Sequence, residues 1–181
     1  MMNSSIGVLE LRSISKGYEL ADKMLKQSSV EMHVLRPICP GKFLIIISGE
    51  AEDVNEAMGK AVNEAKGFLV DTFLLHGVHE EILLGLKNRY PQQETHAVGI
   101  FEASNVSAGI FSINKALKEA TISLKRMTLG MGIGGKFVAI FTGTVSDVEQ
   151  GMKIAVLSID KKRVVHYTVI PSPSELMKKY L

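Results

Sequence analysis

The stretch PGKFLIIISGEAEDVNEAM, Pro40 to Met58, decides the fold, because much of it returns 94 residues later. Gly41-Lys42-Phe43 pairs with Gly135-Lys136-Phe137, Gly49 with Gly143, Asp53-Val54 with Asp147-Val148, and Met58 with Met152. Upstream the spacing is 92: Ile6-Gly7-Val8-Leu9-Glu10 matches Val98-Gly99-Ile100-Phe101-Glu102, Gly17 matches Gly109, and Lys26 matches Lys118. The two spacings differ by an insertion that falls just after Cys39. A collinear series of this kind is the signature of an internal duplication.

Each copy reads alike. Ile6 to Ile14 alternates and is rich in β-formers, which predicts a strand. Lys16 to Ser28 carries apolar residues on a helical stripe. Val30 to Arg36 and Lys42 to Ser48 are strands separated by a turn at Cys39. Ala51 to Lys66 is helical, with Val54, Ala57, Met58, Ala61, Val62 and Ala65 on one stripe. Phe68 to Leu75 is a strand, and His79 to Leu86 a short helix. The order β-α-β-β-α-β-α predicts an α/β (α+β) fold, a tandem duplication of a ferredoxin-like split β-α-β layer. The expected boundaries are residues 4–86 for domain 1, 87–95 (KNRYPQQET, Lys87 to Thr95, with its Pro91) for the linker, and 96–181 for domain 2.

Composition excludes several functional classes. The chain has 181 residues, 46% hydrophobic and 22% charged, which is globular composition. A net charge of +2, with no basic cluster interleaved with aromatics, argues against nucleic acid and against an anionic membrane surface. The start, MMNSSIGVLELRS, lacks the apolar core of a signal peptide. No apolar run approaches the roughly 20 residues that span a bilayer. A single cysteine excludes an intramolecular disulfide and fits a reducing compartment, so a cytoplasmic location is expected.

Candidate sites are few. GMGIGG, followed by Lys136, formally resembles a phosphate-binding loop, but such loops precede a helix and need a Ser/Thr after the lysine. Here a strand, FVAIFTG, follows and Phe137 takes the hydroxyl position, so a glycine turn between antiparallel strands is the better reading. Glu10 and Glu102 occupy equivalent strand positions; Glu52, Asp53 and Asp147 sit where helix starts favour carboxylates. His33, His76, His79, His96 and His166 are scattered, and no catalytic constellation forms. Cys39 differs from all of these. The default for a lone cysteine is a buried, inert thiol, yet Pro37, Pro40 and Gly41 place it on a turn. One thiolate cannot hold a cluster, but a cyclic trimer would bring three together if the turn faced its axis.

The residues SIGVLEL with their echo HAVGIFE, the helix ADKMLKQSSV and the strand–turn–strand opened above resemble the bacterial microcompartment (BMC) shell domain. Two copies over nearly the whole chain resemble its tandem-domain, trimer-forming class, and the pairing of ICPGKF with GIGGKF is similar to the T-type shell proteins of propanediol-utilisation compartments. The resemblance implies a non-enzymatic, pseudohexameric homotrimer that tiles with other microcompartment shell proteins. It implies pore loops at Ile38, Cys39, Pro40 and Gly41 and at Met131, Gly132, Ile133 and Gly134, and tile-edge lysines at Lys26 and Lys118. It implies one 4Fe–4S cluster per trimer, a metal centre ligated by three copies of Cys39, electron transfer across the shell, and an encapsulated redox enzyme as a partner. One departure stands out. The family's I-P-R-P-H stretch reads Ile170-Pro171-Ser172-Pro173-Ser174 here. The other readings are a tile with a metabolite-conducting pore and no cluster, and a ferredoxin-like regulator that senses a small molecule.

Overall fold

A computed structural model of the chain describes residues 4–181. The elements are β1 (Ser5–Leu11), α1 (Ile14–Gln27), β2 (Glu31–Ile38), β3 (Lys42–Gly49), α2 (Ala51–Ala65), β4 (Leu69–Leu75) and α3 (Glu80–Leu86). The second half gives β5 (Ala97–Ala103), α4 (Val106–Glu119), β6 (Ser123–Leu129), β7 (Phe137–Gly143), α5 (Val145–Leu157), β8 (Val164–Ile170) and α6 (Glu175–Lys178). The strands form two four-stranded antiparallel sheets with the orders β2-β3-β1-β4 and β6-β7-β5-β8, which is the split β-α-β arrangement the sequence predicts.

The duplication extends to irregularities that sequence cannot display. The β1–β4 ladder shifts register between Glu10 and Leu11, and β5–β8 shifts between Glu102 and Ala103. The β2–β3 ladder shifts between Met32 and Val34, and β6–β7 between Leu124 and Arg126. Bulges re-aim side chains and bend strands, so their repetition marks two copies of one design.

The first element boundary differs from the sequence reading. The strand ends at Leu11 and the helix begins at Ile14, because the Ser13 hydroxyl accepts the Lys16 N–H at 3.3 Å and caps it. Ile14 therefore continues the apolar alternation in sequence while belonging to a helix.

In the first unit, Leu9, Leu11, Phe43, Ile45 and Ile47 on the sheet pack against Leu20, Met24, Val54, Ala57, Met58 and Ala61 on the helices. Apolar area removed from water there, at about 25 cal/mol per Å², is the main term holding the layer together. Gly17 marks the closest approach of helix to sheet: a Cβ at that position would fall inside contact distance of the Phe43 ring. Gly109 meets Phe137 in the same way in the second unit.

The chain divides into two compact units. The first ends at Val78 but takes in Met131–Gly135; the second holds the remainder, from His79 onward. The helix α3, which chain order places at the end of the first repeat, thus packs within the second unit, against β6.

Candidate functional site

The Cys39 turn is built by the hairpin that carries it. Ile38 and Lys42 are the last register partners of β2 and β3, so Cys39-Pro40-Gly41 is a three-residue connection. Ile38 is buried and anchors the turn, whereas Pro40 and Gly41 are exposed and Cys39 lies between these extremes. The Cys39–Pro40 peptide is cis, and Gly41 has φ of +81°, a conformation that glycine takes without a Cβ clash. The thiol sits on a tight turn with open space beside Gly41, not in the core.

Lys42 leaves this turn and reaches inward. Its Nζ donates to Glu10 Oε2 at 2.8 Å, and the Glu10 side chain is fully buried while that of Lys42 is 17% exposed. The equivalent pair in the second copy, Lys136 and Glu102, is longer at 3.4 Å and more exposed on both sides. Sequence reasoning noticed the equivalence of Glu10 and Glu102 but missed their lysine partners. The shared GKF ending carried that signal, since Lys42 sits two residues before Leu44, the register partner of Glu10.

The second loop is longer. The Gly130 N–H donates to the Lys136 carbonyl at 2.9 Å, closing a five-residue connection, Met131–Gly135. The insertion read from the sequence is therefore this difference in turn length. Gly130, Gly132, Gly134 and Gly135 all have positive φ, as a glycine turn requires. Met131 is exposed at the tip and Ile133 is half-buried. Gly135 packs on the Cys39 turn within the first unit. A Cβ there would collide with the Cys39 carbonyl oxygen and stand 3.1 Å from Lys42 Cε. The structure thus brings Cys39, Lys42 and Gly135 together. A β-strand follows this loop, as expected of a turn and not of a phosphate cradle.

The other sequence candidates are apart from this cluster. Lys26 and Lys118 lie exposed in the last turns of α1 and α4, and Lys26 Nζ bonds Asp22 Oδ2 at 2.6 Å. His33 bonds Ser48 at 2.7 Å and His76 bonds Ser5 at 2.9 Å, while His79 Nδ1 accepts the Glu81 N–H and caps α3. These histidines are engaged in separate local contacts. Among the described residues no cluster of three or more His, Cys, Asp or Glu side chains could enclose a metal ion within one chain. Among the described residues no helix is long and apolar enough to cross a membrane.

With this geometry in view, comparison with known proteins is direct. The BMC domain model matches residues 5–78 and again residues 97–173. The chain belongs to the BMC domain family. Among curated BMC proteins it is 37% identical over 177 residues to the bacterial microcompartment shell protein PduT of Citrobacter freundii, covering 97% of this chain and 96% of that one. A crystal structure of a microcompartment protein from Desulfitobacterium hafniense superposes with a TM-score of 0.91 at 33% identity, covering 98% and 99% of the two chains. A fused permuted hexameric shell protein of the RMM microcompartment shares the fold, with a TM-score of 0.65 at 18% identity and coverage of 86% and 83%. The chain is a structural component of a microcompartment shell, and BMC proteins of this kind oligomerise and contact other shell proteins. The matched segments end at Val78 and Pro173, so α3 and α6 lie outside both.

Proposed function

We propose that the protein forms a homotrimeric shell tile in which Cys39 from three chains ligates one 4Fe–4S cluster on the threefold axis. The supporting observation is the position of Cys39: a partly exposed thiol on a tight three-residue turn, with the longer glycine loop packed against its carbonyl. A thiolate is the usual protein ligand of such clusters. One chain offers a single cysteine. The donor set therefore fits the cluster as a site completed by symmetry, each chain supplying one ligand.

The cluster, when bound, would supply one-electron transfer. The chain's own residues perform the rest. Gly41 lets the backbone reverse without a side chain in the way. Gly135 supports the turn from behind. Lys42, paired with buried Glu10, ties the strand at the base of the turn to β1. On this reading the tile passes electrons across the shell to an encapsulated redox enzyme.

The test is anaerobic purification with iron, sulfide and protein quantified together, beside Cys39→Ser. About four irons for every three chains, lost in the variant, is the expected result. Wild-type protein that stays free of iron after anaerobic reconstitution would overturn the cluster and leave a tile whose pore carries a thiol.

A further inference from the structure

The two copies also diverge on the turn that enters their last strand. In the second copy this is Lys161–Arg163, a single 3-10 turn between α5 and β8. Backbone bonds fix its counterpart. The Ser104 N–H donates to the Arg163 carbonyl at 2.8 Å, as the Arg12 N–H donates to the Phe68 carbonyl at 2.9 Å. One residue further on, Ala103 pairs with Val164 and Leu11 with Leu69. Lys161, Lys162 and Arg163 therefore stand where the first copy has Lys66, Gly67 and Phe68. Three consecutive cations on the turn replace one.

All three cations are exposed. The preceding carboxylate, Asp160, accepts the Lys162 N–H at 2.9 Å and so builds the turn. Among the described residues neither Lys161 nor Lys162 has an ion-pair partner. Apolar surface lies beside them. Leu157 in the last turn of α5 is 69% exposed, and Val165 and Tyr167 at the start of β8 are 45% and 48% exposed. Alternation puts Val165 and Tyr167 on one side of the strand. Tyr167 is the register partner of buried Phe101, as Thr72 is of Leu9, which belongs to the core between sheet and helices. Both side chains thus lie on the side where α5 packs and where Leu157 ends that helix. The first copy has polar Asn63 and Thr72 in place of Leu157 and Tyr167.

The position of this patch is informative. Ala103 pairs on its other side with Phe137, the first residue of β7 after the long loop. The basic turn therefore sits at the loop-bearing end of the second sheet. At about 4.8 Å per strand, β8 runs about 10 Å from β7.

We infer that this face of the second unit docks an acidic one-electron carrier protein. The inference rests on the electron-transfer reading of the proposed function and adds where the partner binds and the sign of its charge. Exposed cations in a fixed row select a carboxylate-rich surface and speed the encounter with it. Leu157, Val165 and Tyr167 supply a small apolar centre, and the cations form its rim, which is the usual anatomy of a protein interface. Three apolar side chains offer far less than the about 800 Å² per partner of a stable complex, so the contact suits a carrier that binds weakly and leaves. Nucleic acid would engage the cations but leave Leu157 and Val165 without an apolar complement, and a net charge of +2 gives it no broad field to follow.

The test titrates the full chain with an acidic [2Fe–2S] ferredoxin, and with the basic carrier cytochrome c as a charge control, by calorimetry at low and high salt. The wild type should bind the ferredoxin and lose it as salt rises. Lys161→Glu combined with Lys162→Glu should raise the Kd at least about tenfold at low salt, and Lys66→Glu no more than about threefold. Tyr167→Ala should raise it about threefold with the salt dependence unchanged. Circular dichroism and elution volume should be those of the wild type in each variant. Absence of ferredoxin binding, equal losses in the two copies, or equally tight binding of cytochrome c overturns the docking. Binding of duplex DNA or of phosphatidylserine vesicles as tight as that of the ferredoxin at the same salt overturns it too, because the face would then be a general polyanion site. Cys39→Ser should bind the ferredoxin as the wild type does. Iron-loaded wild type without this binding overturns the docking alone, and iron-free wild type that binds in the expected pattern overturns the cluster alone.

Discussion

The turn at Cys39-Pro40-Gly41 and the loop Met131–Gly135 occupy the same place in two copies of one fold, and they have diverged in opposite directions. The first is short, carries the only cysteine and rests on a buried ion pair. The second is two residues longer, rich in positive-φ glycines and backed by a looser, wetter pair. Duplication preserves the layer that holds both turns while one turn carries the cysteine and the other packs against it. Function in such a fold resides on the loops, and the sheets keep them in place.

The sharpest way to break the comparison is to move the thiol. In a Cys39→Ser, Ile133→Cys double variant, anaerobically reconstituted iron should stay below about a tenth of the wild-type content, because a five-residue loop does not aim a ligand as the short turn does. Wild-type iron in that variant would show that any thiol near the turns suffices.

The supporting ion pairs should differ next. Glu10→Ala strands a largely buried lysine and should cost about 3 kcal/mol in urea unfolding. Glu102→Ala, at its more exposed counterpart, should cost about 1 kcal/mol or less. Equal losses would mean that burial does not distinguish the two copies.

Within the long loop, Gly135→Ala should destabilise by about 2–3 kcal/mol, combining left-handed backbone strain with collision against the Cys39 carbonyl. Gly132→Ala, with φ of +73° but open space around it, should cost about 1 kcal/mol by the same measurement.

The smallest contrast lies on the helices. Lys23 and Lys16 hydrogen-bond Glu19 and hold its carboxyl down at about 2. Lys23 also bonds Glu64 and lowers that carboxyl too. A depressed folded pKa stabilises above the ordinary carboxylate range and ceases to do so as pH falls toward 2. The stability of the first unit should therefore decline slightly between about pH 4.5 and 2, and Glu19→Gln should flatten that slope in thermal melts. These groups are solvent-exposed, so screening keeps the effect small. In the second unit the equivalent Lys115 instead lies over the Phe111 ring, 5.8 Å from its centroid.

Much of this was legible in the chain. The paired offsets reveal the duplication, and the displaced spacing after Cys39 locates the lengthened loop. Pro40 and Gly41 mark the turn because their backbone preferences are local. The contact of Lys42 with Glu10 was hidden, since it needs the β1–β3 register. The allegiance of α3 was hidden for a similar reason: chain order places it with the first repeat, and only packing of Ile82 and Leu86 assigns it to the second unit. Ile14 was misread as strand because one apolar alternation continues across a capped boundary, where the Ser13 hydroxyl outweighs periodicity.

Phe43 has a consequence for how the turn responds to force. It is the second residue of β3, next to Lys42, its ring seats against Gly17, and Tyr18 lies across it with ring centroids 4.7 Å apart. The base of the cysteine turn and the outer helix are thereby keyed like a tooth in a socket. A neighbour that leans on the exposed side of α1 would transmit its push along this key to the strand end that carries the thiol.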